Sequence, residues 1–253
     1  MKRKFGKRGF SILFAAAMVL GSFGTPVFAA SVEQGSVRSA EMESGREVNF
    51  NQEWRFYLGE ASGAEMKNFD DSMWENISIP HDFSIDQEYS NTYEAESGFL
   101  PGGTGWYRKT FVLPAEYQGK TVVINFDGVY NHAYVYVNGT KLGENHYGYN
   151  DFSFDISDYV TCDGSTKNVI AVQVVHNTPS SRWYSGSGIY RDVSLAVMDQ
   201  IHVAKNGTYV TTPELEKQKD GNVTVKVETK VQNDSGNSVN AVVRTTVLDA
   251  DRK

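Results

Sequence analysis

Short apolar and polar positions alternate along most of the chain, and no stretch sustains a helical period. Thr121-Val-Val-Ile-Asn-Phe126 reads as a strand, and Asn168–Val175 as another with apolar alternation. Ala133-Tyr-Val-Tyr-Val137, Asn138-Gly139 and Thr140-Lys-Leu142 spell a hairpin, because Asn-Gly supplies the positive φ angles of a type I′ turn. Trp106–Leu113 and Asp192–Val197 add two more strands between polar turns. Short strands at this spacing predict an all-β chain, a β-sandwich of the jelly-roll kind over residues 47–198.

The texture changes near Gln200. Aromatic residues stop after Tyr209, Asn222–Val231 alternates around Val223, Val225 and Val227, and Ala241–Leu248 reads as a further strand. Residues 199–253 predict the opening of a second, immunoglobulin-like sandwich. Such a domain takes about 100 residues and seven strands. About 55 residues and three or four strands imply an incomplete domain with an open sheet edge, or else a complete small appendage.

The N-terminus has a different logic. Lys2, Arg3, Lys4, Lys7 and Arg8 precede a mostly apolar run, Phe10–Gly21, and Val27-Phe-Ala29 puts small residues at −3 and −1. Residues 1–30 are expected to be a secretory signal peptide cut near Ala29 or Ala30, leaving an exported, soluble chain; the alternative is a membrane anchor, which the short apolar run followed by Gly and Pro disfavours. Residues 31–46 are rich in Ser, Glu and Gly and read as a linker.

Charge and cysteine narrow the function classes. The whole chain carries net −7; beyond residue 30, 19 basic residues face 31 acidic ones, net −12. Nucleic acid and anionic membranes are poor partners for that balance. The lone Cys162 excludes a disulfide framework and a multi-cysteine zinc site.

No nucleotide-binding glycine loop, paired-histidine metalloprotease motif or Gly-x-Ser-x-Gly elbow is present. His81 could orient a loop and His176, at a strand end, could bind a ligand; both are expected to be structural. Among the carboxylates, Glu94 and Glu96 fall in a polar loop and are expected to be solvated. Asp82, Asp127 and Asp192 flank aromatic or glycine-rich turns, where acids more often cap turns than form a glycosidase pair. Aromatic residues reach 13% of the chain, and Trp106, Tyr147, Tyr149, Trp183, Tyr184 and Tyr190 fall in apparent loops. Ring faces can stack on sugars or simply fill a core. The run Ser181-Arg-Trp-Tyr-Ser-Gly-Ser-Gly-Ile-Tyr-Arg-Asp192 gathers rings, an acid and two arginines on a glycine-rich loop. Arg182, Trp183, Tyr184 and Asp192 are its candidate ligand contacts.

Eight stretches in order carry a resemblance: Phe69–Trp74, Ile79-Pro-His-Asp-Phe-Ser84, Gly105–Phe111, Phe126–Tyr130, Val135–Gly139, His146–Tyr149, Ser181–Val193 and Thr208–Pro213. The chain resembles the N-terminal part of glycoside hydrolase family 2, most of all bacterial β-galactosidases. The resemblance implies a jelly-roll sugar-binding domain, then an immunoglobulin-like sandwich, then a (β/α)₈ barrel whose two glutamates perform retaining hydrolysis. That barrel does not fit in these residues, so the chain alone is expected to be inactive and to supply binding and scaffold. Asp192 matches the family acid that reaches the active-site mouth and contacts both the sugar and a monovalent cation, sodium. Gly102 stands where some members place a sugar-contacting asparagine, and Phe83 replaces the usual tryptophan. The implied partner is a β-galactoside or other glycan, with a full-length enzyme that can be oligomeric. β-Glucuronidase, β-mannosidase, a stand-alone carbohydrate-binding module and a scaffold for another chain's barrel stay open.

Overall fold

The computed structural model describes residues 10–20, 47–217 and 223–251. The backbone forms two compact units, residues 35–197 and a second that combines 198–253 with the N-terminal segment. The strands are β1 (Phe10–Leu20), β2 (Glu47–Asn49), β3 (Trp54–Leu58), β4 (Glu75–Ile77), β5 (Gly103–Val112), β6 (Thr121–Phe126), β7 (His132–Val137), β8 (Thr140–Asn145), β9 (Phe152–Asp155), β10 (Lys167–His176), β11 (Val193–Met198), β12 (Ile201–Thr211) and β13 (Val223–Asn233).

The larger unit is a sandwich. A six-stranded sheet runs β4-β3-β5-β10-β7-β8, and a four-stranded sheet runs β2-β11-β6-β9. The register puts alternate residues on opposite faces. On β7, Ala133, Val135 and Val137 are buried while the intervening side chains are half-exposed. Both sheets feed one core: Trp54, Phe56, Tyr107, Val135, Ile170 and Val172 from the first, and Val122, Ile124, Phe126, Val193 and Leu195 from the second. The expected hairpin is present, with φ of +50° at Asn138 and +86° at Gly139. Asn138 also clamps the sheet from its side chain. Its Oδ1 accepts from Val169 N (2.9 Å), and its Nδ2 donates to Tyr159 O (2.7 Å) and Asn168 Oδ1 (3.0 Å).

β5 is buried on both faces, which explains why its pattern lacks alternation. Tyr107 and Phe111 face the main core, whereas Trp106 and Ala171 pack with Ala64 and Trp74 in a second cluster. Trp106 is therefore a core ring, on the strand predicted over Trp106–Leu113 and not among the loop aromatics; it is 4% exposed. Arg108, 1% exposed, points under the segment 59–74 and holds it. Its guanidinium donates to Asp71 Oδ2 (2.7 Å), Met66 O (3.1 Å) and Ala64 O, and lies 5.3 Å from the Phe69 ring centroid. Removing one partner of a buried, hydrogen-bonded pair leaves the other uncompensated, at about 3–5 kcal/mol. Arg108→Met is expected to cost about that much, measured as a shift in the urea unfolding midpoint of the sandwich.

The smaller unit is a three-stranded sheet, β1-β13-β12, antiparallel throughout. β13 follows the expected alternating segment. β1 coincides with the apolar run expected to be part of a leader and pairs with β13 over its full length; residues 1–9 and 21–46, which hold the rest of that leader and the linker, lie outside the described residues. Ala241–Leu248 was expected to be a strand and is not: it has no regular structure, and Val242, Val247 and Leu248 are exposed. β-propensity needs a paired neighbour to be realised, and no described strand flanks this segment.

Candidate functional site

The sequence-predicted loop leaves β10 after His176 and returns to β11 at Val193. Its middle is not a free loop. Ser187–Ile189 lies between two other segments: His81 N donates to Ile189 O (2.8 Å), Phe83 N to Ser187 O (2.9 Å), and Gly188 exchanges bonds of 2.8 and 2.9 Å with Tyr130. Gly188 has φ of +121°, and a Cβ there would stand 2.2 Å from the Tyr107 hydroxyl and 2.8 Å from His81 O. Only glycine allows three chain segments to approach so closely.

Asp82 is the main clasp. Its Oδ1 accepts from Ser84 N (3.0 Å) and Ser187 N (2.8 Å), and its Oδ2 accepts from the Tyr184 hydroxyl. This is the turn-capping role expected of an acid in that motif. His81 orients the same segment, as expected: Nδ1 meets the Tyr107 hydroxyl at 2.8 Å and Nε2 faces Asp86 at 3.4 Å. Burial lowers the His81 pKa despite the pull of Asp86. Phe83 is 1% exposed and stacks on Phe56 at 5.8 Å, so its ring belongs to the core.

The four candidate residues are exposed, but they take different partners. Asp192 Oδ1 accepts from Asn51 Nδ2 (2.8 Å), while Asn51 Oδ1 accepts from Val193 N (2.8 Å). This reciprocal bridge fixes the carboxylate at the start of β11. Trp183, 62% exposed, donates from Nε1 to the Tyr149 hydroxyl (3.1 Å). Tyr184 sits on Asp82; burial, then that hydrogen bond and charge, push its phenol far above the usual range. Arg182 is exposed on the same loop. A rim of side chains joins the ends: Tyr149 touches Tyr147 (5.9 Å) and Tyr130 (5.4 Å), Tyr190 donates to Gly148 O (2.8 Å), and Arg191 covers the Tyr190 ring at 5.1 Å.

Two expectations change at this edge. Glu94 is not fully solvated: Oε2 is buried without a hydrogen-bond partner. At Gly102 a Cβ would stand 2.1 Å from His176 O, so this backbone admits no side chain of any kind there. The sequence did not single out Asn51, whose role depends on a partner 141 residues away; nor the buried Ser84 and Ser187 and the exposed Ser180. For a cation, Asp192 offers one carboxylate oxygen beyond the one engaged by Asn51. No group of three His, Cys, Asp or Glu able to hold a metal occurs among the described residues. A hard cation takes several oxygen ligands, backbone and amide carbonyls among them, so Asp192 would supply one oxygen of such a shell.

The family model for the sugar binding domain of glycosyl hydrolases family 2 matches residues 48–199. The chain belongs to glycoside hydrolase family 2. Its match is the sandwich together with the loop just described. It is 40% identical over 221 residues to the β-galactosidase BoGH2A of Bacteroides ovatus, across 86% of this chain and 25% of that protein. It is 41% identical over 187 residues to a putative β-glucuronidase of Formosa agariphila, across 73% of this chain and 18% of that protein. A crystal structure of a β-glycosidase from Bacteroides vulgatus superposes with a TM-score of 0.68 at 38% identity, over 74% of this chain and 24% of that one. The chain thus spans about a quarter or less of these family-2 relatives.

Proposed function

We propose that the chain is the sugar-binding and scaffold portion of a secreted, bacterial, β-galactosidase-like retaining hydrolase. The observation that carries this reading is the exposed Asp192 carboxylate, fixed by Asn51 at one end of a family-2 sugar-binding domain. Asp192 accepts hydrogen bonds from galactoside hydroxyls through its unengaged oxygen, and Trp183 offers an exposed ring face to the sugar. Neither supplies a proton donor paired with a nucleophile at the spacing of about 5–5.5 Å that retention needs. Hydrolysis is the task of a barrel supplied elsewhere in the enzyme.

Trp183→Ala is expected to leave stability within about 0.5 kcal/mol, as for other exposed positions, and to abolish saturable galactoside binding measured by calorimetry. Binding unchanged by that substitution would remove the ring from the site. Export is tested separately: N-terminal sequencing of protein from the culture medium should begin just after Ala29 or Ala30.

A glucuronide is the second reading, favoured by the similarity to a putative β-glucuronidase and by exposed Arg182 and Arg191, which could meet a sugar carboxylate. Tighter binding of methyl β-glucuronide than of methyl β-galactoside, lost in Arg182→Ala, would select it.

A further inference from the structure

Five side chains form a hydrogen-bonded line behind the loop. Ser84 Oγ donates to Pro101 O (2.7 Å) and stands 2.5 Å from Ser187 Oγ. Ser187 Oγ stands 2.5 Å from His176 Nδ1, His176 Nε2 is 2.7 Å from Ser180 Oγ, and Ser180 Oγ is 3.2 Å from the Tyr130 hydroxyl. A carbonyl only accepts, and each hydroxyl has one hydrogen. Ser84 therefore spends its hydrogen on Pro101. Ser187 must donate to Ser84, so His176 Nδ1 must carry a proton and donate to Ser187. A neutral imidazole then accepts at Nε2 from Ser180, and Tyr130 donates to Ser180. One backbone oxygen fixes the direction of the bonds as far as His176 Nδ1, and the neutral ring fixes the rest.

We infer that His176 is a proton-sensitive positioning residue, whose neutral Nδ1–H form holds the loop from Ser180 to Asp192 in register with the sandwich. The line touches that loop at both ends. Ser187 is next to Gly188, which pairs with Tyr130 through the backbone. The Tyr130 ring lies edge-on to His176 at 4.9 Å and to Tyr149 at 5.4 Å, and Tyr149 accepts from Trp183. Protonating His176 puts a hydrogen on Nε2 and turns it into a donor. Ser180 must then accept there as well as from Tyr130 and turn its own hydrogen away from the ring. The re-aimed hydroxyl is the partner of Tyr130, which packs on the Tyr149 that accepts from Trp183.

The groups facing His176 work in opposite senses. Asp82 on the 79–84 segment favours the charged ring, and Glu94 and Glu96 border the same small recess with Ser180 and Trp183. His132 on β7 opposes it, and burial, the largest effect, lowers the pKa overall. The neutral form is thus bound more favourably in the folded chain. Its contribution is fully present above the ordinary imidazole pKa of about 6.5 and is lost as pH falls through the lower folded value.

The link from this line to sugar binding rests on the function proposed above, but its test needs no sugar. Long-range proton–nitrogen NMR of the intact chain at pH 7.5 should show His176 protonated at Nδ1 and bare at Nε2. An Nε2–H tautomer, or an imidazolium at that pH, overturns the inference. Trp183 fluorescence, isolated by difference from Trp183→Phe, should then step as the pH falls below 7, in parallel with the His176 titration, and the step should vanish in His176→Gln. A step that persists in a folded His176→Gln, or a His176 titration that leaves Trp183 unmoved, also overturns it. Should His176→Gln fail to fold, the tautomer and the parallel titration in the native chain still decide. Correct tautomer and step without galactoside binding would strike the sugar reading alone.

Discussion

Gly188→Ala is expected to cost about 2–6 kcal/mol and to leave much of the chain unfolded at 37 °C. The estimate adds about 1–3 kcal/mol for overpacking to about 1–3 kcal/mol for a side chain at an unfavourable positive φ. The packing cost falls at the upper end because relief is difficult. The Tyr107 hydroxyl is fully buried and bound to His81, and His81 O is backbone engaged in the same crossing. Tyr107 cannot retreat without releasing His81, and His81 cannot retreat without breaking its bond to Ile189. Gly119 is the control: it also has positive φ, +77°, but a Cβ there meets nothing. Gly119→Ala should cost only the backbone share, about 1–3 kcal/mol. Urea unfolding followed by near-ultraviolet circular dichroism separates the two. Equal costs would show that the crossing at Gly188 is not a packing constraint.

Assayed alone, the chain is expected to leave a nitrophenyl β-galactoside at its uncatalysed rate of hydrolysis. Glycosidase acceleration is at least about 10⁶-fold, or about 8 kcal/mol of barrier. It depends on a proton donor and a nucleophile held together on the reacting bond. The acids placed at this edge are committed to other work. Asp82 is saturated by Ser84, Ser187 and Tyr184, and Asp192 is bridged to Asn51. In the proposed function Asp192 orients a sugar hydroxyl, a role that affects binding and geometry but does not supply the second group of a catalytic pair. Turnover at enzyme-like rates that survives Asp192→Ala would mean that a catalytic pair lies elsewhere in these residues.

Much of the sandwich is legible in the sequence because the strand signals are local. Thr121–Phe126 is β6 to the residue, and Asn138-Gly139 makes the turn its φ angles require. β2, β4 and β9 were not legible: they are three or four residues long, and their identity comes from the neighbour they pair with. β5 hid its face because Trp106 and Arg108 are buried under a loop that folds back from residues 59–74. The run Ser181–Asp192 stood out as a site through its composition, but its geometry did not. Its rings do not gather into one platform. Trp183 goes to Tyr149 and Tyr184 to Asp82, through contacts spanning 34 and 102 residues. His176 read correctly as structural, while the serine line that gives it a defined tautomer has no sequence signature, since serine is common in any turn.

The most direct test of the account is a nuclear magnetic resonance titration of the intact chain with methyl β-galactoside. Saturable shifts are expected at the Trp183 indole N–H, the Asp192 and Val193 amides and the Asn51 side chain, with an affinity of about a millimolar (about −4 kcal/mol). They should disappear in Asp192→Ala while the rest of the spectrum stays folded. Shifts confined to another face of the sandwich, or none at saturating sugar, would contradict a sugar contact at Asp192.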